Sequence, residues 1–131
     1  MARHAKVFAP GSVGNVGPGF DVLGLAVGGI GDTVTVELHD GEDVIAEVTG
    51  RDAAEIPRDP ARNAAAIAAR AYLDGHGARD VRFRMTIDKG LTLSGGMGGS
   101  AASSVALGVC QPTIAPCAAI IASAAALNSG K

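Results

Sequence analysis

The sequence is poor in aromatic side chains and carries little net charge. Aromatic residues make up 3% of its 131 residues, tryptophan is absent, and the formal net charge is -2. Surfaces that bind nucleic acid depend on clustered lysine and arginine, and often on aromatic side chains on which bases stack. We therefore expect no nucleic-acid partner.

Cysteine is also scarce, and both copies, Cys110 and Cys117, follow the last histidine, His76. The segment that holds the two cysteines therefore lacks the four ligands of an ordinary zinc site. A disulfide between the two cysteines is geometrically possible. The N-terminus carries no apolar run typical of a signal peptide, so we expect a cytoplasmic protein with both thiols reduced and buried. The apolar stretch 114–127 is short and is interrupted by Pro116, so no membrane partner is expected.

The spacing of apolar residues predicts strands over 5–9, 34–38, 44–48 and 81–87, and helices over 61–73 and 99–109. The turn signal at 40–43 predicts that the strands on either side of it pair as a hairpin. Arg82 and Arg84 lie on the polar face of the last strand, which we expect to be solvated. Because strands and helices do not alternate regularly, the order favours an α+β fold over a doubly wound sheet.

The most informative segment runs from Gly90 to Ser104, between a predicted strand and a predicted helix. Its first ten residues include five glycines, which can turn the backbone at positive φ and bring N–H groups close to an anion. The following helix would direct the positive end of its dipole to the same place. Ser100 and Ser103 could then reach a phosphate or its metal ion. The alternative is a flexible glycine-rich turn capped by serine.

This segment resembles the central motif of the GHMP small-molecule kinases, which is proline, three variable residues and Gly-Leu-Gly-Ser-Ser-Ala. Two positions depart from the motif, since Thr92 replaces the proline and Gly99 replaces the first serine. The resemblance implies an ATP-binding loop. It implies that the following residues contact ATP: Ser94, Gly95, Gly96, Met97, Gly98, Gly99, Ser100, Ala101 and Ser103.

Two further segments carry the same resemblance. Residues 9–26 are similar to the opening of homoserine kinases, at Ser12, Asn15, Gly17, Pro18, Gly19, Phe20, Asp21 and Gly24. The resemblance implies that Asn15 and Asp21 contact the amino-acid substrate. Residues 57–65 resemble the family's Asp-Pro-x-x-Asn segment, which implies that Asn63 contacts the adenine and that Lys89 lies toward the adenosine. A dinucleotide-binding fingerprint is excluded at 14–19, because the glycine spacing is wrong and Pro18 would interrupt the helix.

The implied fold is the N-terminal domain of GHMP kinases, which is like domain 2 of ribosomal protein S5 and has a mixed sheet with helices packed on one face. The implied activity is ATP-dependent phosphorylation of the side-chain hydroxyl of L-homoserine to O-phosphohomoserine, in threonine biosynthesis, with Mg²⁺. We expect residues 1–109 to form the ATP-binding domain, 110–131 to form an atypical tail, and the C-terminal domain of the family to be absent.

Ser100 is implied as a Mg²⁺ ligand, but the family's partner glutamate is missing because no acidic residue follows Asp88. The resemblance assigns no catalytic residue. We therefore expect the chain to be incomplete for catalysis. The alternatives are a truncated, non-catalytic nucleotide-binding module, or a GHMP kinase acting on another small molecule. An exposed apolar surface could also make the protein a homodimer.

Overall fold

The computed structural model describes residues 4–110, apart from the side chains at 15, 19–22, 105 and 107–110. Four strands and two helices follow one another, with a short 3₁₀ turn at Ala53–Glu55. They are β1 (His4–Val16), β2 (Gly19–His39), β3 (Val44–Gly50), α1 (Ala64–Gly75), β4 (Arg82–Lys89) and α2 (Gly99–Cys110). The expected α+β class is confirmed. The predictions for the tail, for both cysteine side chains and for the stretch 114–127 lie outside the described residues.

The four strands form one mixed sheet in the order β1-β2-β4-β3. Strand β2 pairs antiparallel with β1 and β4, whereas β3 pairs with β4 in parallel. The predicted hairpin between β2 and β3 is therefore wrong. A turn signal reports only that the chain reverses, and here β4 lies between the two strands. The return from β3 to β4 runs through α1, as a parallel pair requires.

One face of the sheet and both helices share a single hydrophobic core. The largest buried side chains of the sheet come from β4, where Phe83, Met85 and Ile87 are at most 2% exposed. Alanines of α1 and α2 pack on this face, and their small side chains let the helices lie close to the strands. The helices thus cover one face of the sheet, as expected. On the other face Arg84 is exposed, as predicted, and pairs with Glu37 at 3.3 Å, whereas Arg82 is half-buried.

Strands β1 and β2 extend together as a long hairpin whose turn includes Gly17 and Pro18. The predicted strand over 5–9 was too short. A register shift after Pro10 pairs Pro10 with Gly31 but Gly11 with Val27, so residues 28–30 form a bulge in β2. Beyond the bulge the hairpin carries exposed apolar side chains, namely Val13, Leu23 and Leu25. Within residues 4–110, no helix is long and apolar enough to cross a bilayer.

Candidate nucleotide site

Residues 90–99, here called the glycine loop, join β4 to α2. Gly96 and Gly98 adopt φ values of 69° and 70°, where a side chain would be strained. The first hydrogen bond of α2 runs from Ala102 N to Gly98 O at 2.8 Å. The amides of Gly99, Ser100 and Ala101 therefore have no helical acceptor, and they lie at the positive end of the helix dipole. This arrangement suits an anion, above all a phosphate.

The glycine loop lies directly against the N-terminal strand. Ser12 N donates a hydrogen bond to Met97 O at 3.0 Å. A Cβ atom on Gly98 would lie 2.8 Å from the side-chain oxygen of Ser12. The fold thus joins two segments that the sequence presents separately. Asn15 and Asp21 belong to the outer part of the same hairpin, but their side chains lie outside the described residues, so their substrate contacts stay a prediction.

A cavity of about 150 Å³ lies beside the glycine loop, where α1 and α2 both begin. Four of the predicted ATP contacts line it together, namely Asn63, Lys89, Ser100 and Ser103. The sequence did not single out Glu55 or Arg62, which also line it. Ligand pockets usually measure about 300–1,000 Å³. This cavity could therefore hold part of a nucleotide, with the remainder lying over the open loop.

Asn63 is the N-cap of α1, which explains why the helix begins at Ala64 and not at the predicted residue 61. Its Oδ1 accepts hydrogen bonds from Ala65 N at 3.0 Å and Ala66 N at 3.3 Å, and its Nδ2 donates to Pro57 O at 3.0 Å. The side chain is 4% exposed. Asn63 thus fixes the start of α1 at the wall of the cavity.

Beneath the glycine loop lies a buried group of side chains that we call the Asp32 cluster, formed by Asp32, Lys89 and Ser103. Asp32 is 0% exposed and Lys89 is 4% exposed, and the Lys89 ammonium donates a hydrogen bond to Asp32 Oδ2. It also donates to Gly99 O at 3.0 Å and to Ser103 Oγ at 3.2 Å. Ser103 Oγ in turn donates to Asp32 Oδ2 at 2.7 Å.

The other carboxylate oxygen of Asp32 holds the entry of the glycine loop. Asp32 Oδ1 accepts hydrogen bonds from Gly90 N at 3.0 Å and Leu91 N at 3.1 Å. Sequence reasoning missed Asp32. The available signal was that Asp32 is the only charged residue between Asp21 and Glu37, and a buried charge requires partners.

The chain resembles known proteins in sequence and in fold, although no protein-family model matches it. The homoserine kinase of Xanthomonas campestris pv. campestris (strain B100) is 50% identical over 108 residues, which cover 79% of this chain and 32% of that protein. The homoserine kinase of Arabidopsis thaliana is 45% identical over 95 residues, covering 70% of this chain and 25% of that one. The crystal structure of homoserine kinase from Cytophaga hutchinsonii ATCC 33406 superimposes with a TM-score of 0.84 at 35% identity, covering 95% of this chain and 40% of that chain.

The chain is thus similar to homoserine kinases in sequence and in fold. It spans about a third of the length of the curated relatives it matches, 32% in the case of the Xanthomonas protein. The expected GHMP fold is confirmed by the superposition.

Gly99, one of the two departures from the GHMP kinase motif, has room for a side chain. A Cβ atom there would meet Thr92 O at 3.5 Å and Lys89 Nζ at 3.6 Å, which are ordinary van der Waals contacts. The serine usual in GHMP kinases would therefore fit at this position. Its replacement by glycine removes a hydroxyl from the loop without a steric reason in this structure.

A metal ion at this site would depend on few side chains. Among the residues that the structure describes, no three His, Cys, Asp or Glu side chains are grouped closely enough to hold one. The residues that line the cavity include Ser100 and one residue with a carboxylate, Glu55. Mg²⁺ is commonly bound by one or two protein oxygens together with phosphate oxygens and water, and such a sparse set fits that pattern.

Proposed function

We propose that this chain is the nucleotide-binding part of an ATP-dependent kinase that phosphorylates the side-chain hydroxyl of L-homoserine to O-phosphohomoserine, a step of threonine biosynthesis in the cytoplasm. The observation that carries the proposal is the glycine loop. It leads into α2, whose first-turn amides lack helical acceptors, and it borders the cavity at Asn63 and Ser100. The 50% identity to a homoserine kinase supports the choice of substrate.

In this proposal the glycine loop and the first turn of α2 bind the phosphates through backbone amides, from Ser94 to Ala101. The cavity beside Asn63 receives the adenosine. Lys89 and Ser103 form the inner wall between these two parts. Phosphoryl transfer needs accurate positioning and charge stabilisation more than covalent chemistry. A rigid loop of amides at a helix N-terminus supplies both.

Mg²⁺ fits at Ser100, which lines the same cavity as Glu55. When bound, the ion would neutralise charge on the phosphates. Glu55 precedes the glycine loop in the chain. It therefore does not replace the family's partner glutamate at the same place in the sequence, since no acidic residue follows Asp88.

The hairpin of β1 and β2 is proposed to bind homoserine. Asn15 and Asp21 are the proposed contacts, since an aspartate suits the ammonium group of an amino acid and an amide suits its carboxylate. The hydrogen bond from Ser12 N to Met97 O ties this hairpin to the glycine loop. The reacting hydroxyl would thus lie close to the bound phosphates. The exposed apolar side chains Val13 and Leu25 of the same hairpin are proposed as the place where two copies would meet.

Titration calorimetry of the 131-residue chain with Mg·ATP, followed by an assay of homoserine-dependent ADP release, tests the proposal. We expect binding of Mg·ATP. ADP release that depends on homoserine would identify a working kinase, and binding without release would identify a nucleotide-binding module. A folded chain that binds no Mg·ATP would overturn the proposal.

Two matched glycine variants locate the binding. Gly96 and Gly77 have φ values of 69° and 73°, and a Cβ atom on either would meet nothing within 4 Å. Alanine at either position costs about 1–2 kcal/mol of stability through backbone strain. Only Gly96→Ala alters the glycine loop, so only this variant should weaken Mg·ATP binding, by about tenfold or more. Equal affinities in the two variants would place the nucleotide elsewhere.

A further inference from the structure

The Asp32 cluster connects both ends of the glycine loop through a single carboxylate. Asp32 Oδ1 accepts the amides of Gly90 and Leu91, where the loop begins. Asp32 Oδ2 accepts from Lys89 and Ser103, and Lys89 donates to Gly99 O, where α2 begins. Displacement of this carboxylate would therefore release the entry and the exit of the loop together.

Close backbone packing fixes Asp32 in this place. A Cβ atom on Gly90 would lie 1.9 Å from Gly31 O, so the start of the loop passes directly over the residue before Asp32. Only glycine permits such an approach. The carboxylate can then reach two successive amides at once, as an anion bound in a concave stretch of backbone does.

The ammonium group of Lys89 has no donor left for a ligand. It carries three hydrogens, and the structure gives it three acceptors: Asp32 Oδ2, Gly99 O and Ser103 Oγ. A phosphate could bind Lys89 directly only if one of these bonds were broken and the buried Asp32 lost part of its compensation. Breaking up a buried ion pair is costly. The geometry therefore favours an indirect role for Lys89.

We infer that Asp32 is a positioning residue for nucleotide binding: with Lys89 and Ser103 it holds the glycine loop in the conformation that presents its amides to phosphate, and Lys89 serves this scaffold instead of contacting the nucleotide. The inference rests on the proposed function for its ligand. Its structural half, the anchoring of Gly90 and Leu91, is measurable without any ligand.

A pair of double variants separates positioning from general stability. Asp32→Asn with Lys89→Met removes the buried pair without leaving an unpaired charge. Asp43→Asn with Arg70→Met is the matched control, because Asp43 also pairs with a cation and also accepts a backbone amide, that of Phe83 at 3.3 Å. The control pair does not line the cavity beside the glycine loop. A merely structural role would lower the melting temperature in both variants and change Mg·ADP affinity in neither.

We expect Mg·ADP affinity to fall at least tenfold in the Asp32/Lys89 variant and to stay within twofold of the wild type in the control. Amide exchange at Gly90 and Leu91, measured by NMR without nucleotide, should accelerate at least tenfold in the first variant only. The ammonium signal of Lys89 in the wild type should not shift when Mg·ADP is added. Unchanged affinity in a folded Asp32/Lys89 variant, or a shifted Lys89 signal, would overturn the inference.

The outcomes also distinguish this inference from the proposed function. If the wild-type chain binds no Mg·ADP, the proposed function fails, and the exchange rates of Gly90 and Leu91 still decide whether Asp32 anchors the loop. If the Asp32/Lys89 variant does not fold, Ser103→Ala is the second variant. It removes one bond to Asp32 and one to Lys89, and it should give a smaller loss of affinity with faster exchange at the same two amides. Wild-type affinity and exchange in that variant would contradict the inference.

Discussion

Within residues 4–110, two ion-pair clusters tie helices to the sheet, and they differ mainly in burial. The Asp32 cluster lies beneath the glycine loop with its carboxylate 0% exposed. The second cluster, formed by Asp43, Arg70 and Asp74, lies two turns along α1, where the side chain of Arg70 is 25% exposed. Each cluster combines a carboxylate, a cation and a backbone amide. Similar chemistry thus occurs in two environments with different access to water.

Arg70 connects three parts of the chain around the second cluster. Its Nε and Nη2 donate to Asp43 at 2.9 and 2.8 Å, Nη1 donates to Asp74 at 3.2 Å, and Nη2 also donates to Val81 O at 2.7 Å. Burial alone would lower the pKa of Arg70, but hydrogen bonds to Asp43 and Asp74 and their negative charges outweigh it, so its pKa is raised. The guanidinium therefore stays charged at any ordinary pH. Because the side chain is partly exposed, water can replace some of the hydrogen bonds that a mutation removes.

We infer from the comparison that a partly exposed cluster loses a member at a smaller cost in stability than a buried one. Removal of one partner from a buried pair leaves a charge with neither water nor counter-ion. The Asp32 cluster also underlies the candidate nucleotide site, so damage there should reach binding. None of the three residues of the second cluster lines the cavity of that site, so damage there should remain a matter of stability.

The largest expected effect, and the most direct way to break the comparison, is the substitution of each cation by methionine. Lys89→Met should lower the free energy of unfolding by about 3–5 kcal/mol, because it leaves Asp32 buried without its counter-ion. Arg70→Met should lower it by about 1–2 kcal/mol, since solvent reaches its partners. Urea denaturation measures both values. Equal losses would show that burial does not separate the two clusters.

Gly90→Ala tests whether close packing holds the Asp32 cluster in place. A Cβ atom at this position would lie 1.9 Å from Gly31 O, and we expect a loss of about 1–3 kcal/mol, since overpacking forces the backbone to move. Gly75→Ala is the control, because nothing lies within 4 Å of its Cβ position. The control should be neutral or slightly stabilising. If urea denaturation shows no difference between the two variants, the approach at Gly90 is not a constraint.

Asn63→Ala tests the wall of the cavity, where Asn63 caps the start of α1. Loss of the N-cap should cost about 1 kcal/mol of unfolding free energy. Asn63→Asp is the control, because it keeps the acceptor for Ala65 N and Ala66 N but replaces the donor to Pro57 O with a charged oxygen. Thermal or urea unfolding measures stability, and calorimetry with Mg·ATP measures binding. A loss of affinity in both variants would favour the predicted contact between Asn63 and the base.

The smallest expected effect is a gain, from Gly99→Ala at the first residue of α2. The Cβ atom would make ordinary contacts at 3.5 Å and beyond, and the substitution should add about 0.4–1 kcal/mol by restricting the unfolded chain. Urea denaturation measures the gain. A loss of stability would mean that the Asp32 cluster, whose Lys89 lies 3.6 Å from the new atom, tolerates no addition.

Local patterns predicted the strand at β4 and the helix at α1 because their signals lie within a few residues. Strict alternation from Val81 to Ile87 marks a half-buried strand, and the structure has β4 at Arg82–Lys89. The predicted helix began too early, because Asn63 is the cap and not part of the helix. Pairing partners are not local, which is why the hairpin predicted between β2 and β3 was wrong.

The residues of the candidate site likewise fall into two groups, those that local patterns predicted and those that only the fold brings together. The glycine loop was evident from its own composition, and Asn63, Ser100 and Ser103 were named from motifs that each span a few residues. Asp32 was missed, because its importance comes from contacts with Lys89 and Ser103, which are 57 and 71 residues further along the chain. No local pattern reports such contacts.

By itself, the sequence determined the approximate positions of β3, β4, α1 and α2, where the backbone must be glycine, and which family motifs are present. These properties follow from side-chain periodicity and from the conformational freedom of single residues. Only the tertiary structure decided that β4 separates β2 from β3, that the N-terminal strand lies against the glycine loop, and that Asp32 closes its buried cluster with Lys89. Those arrangements depend on burial and on distances between residues far apart in the chain, because a charge or a strand edge is stable only where the rest of the fold supplies its partners.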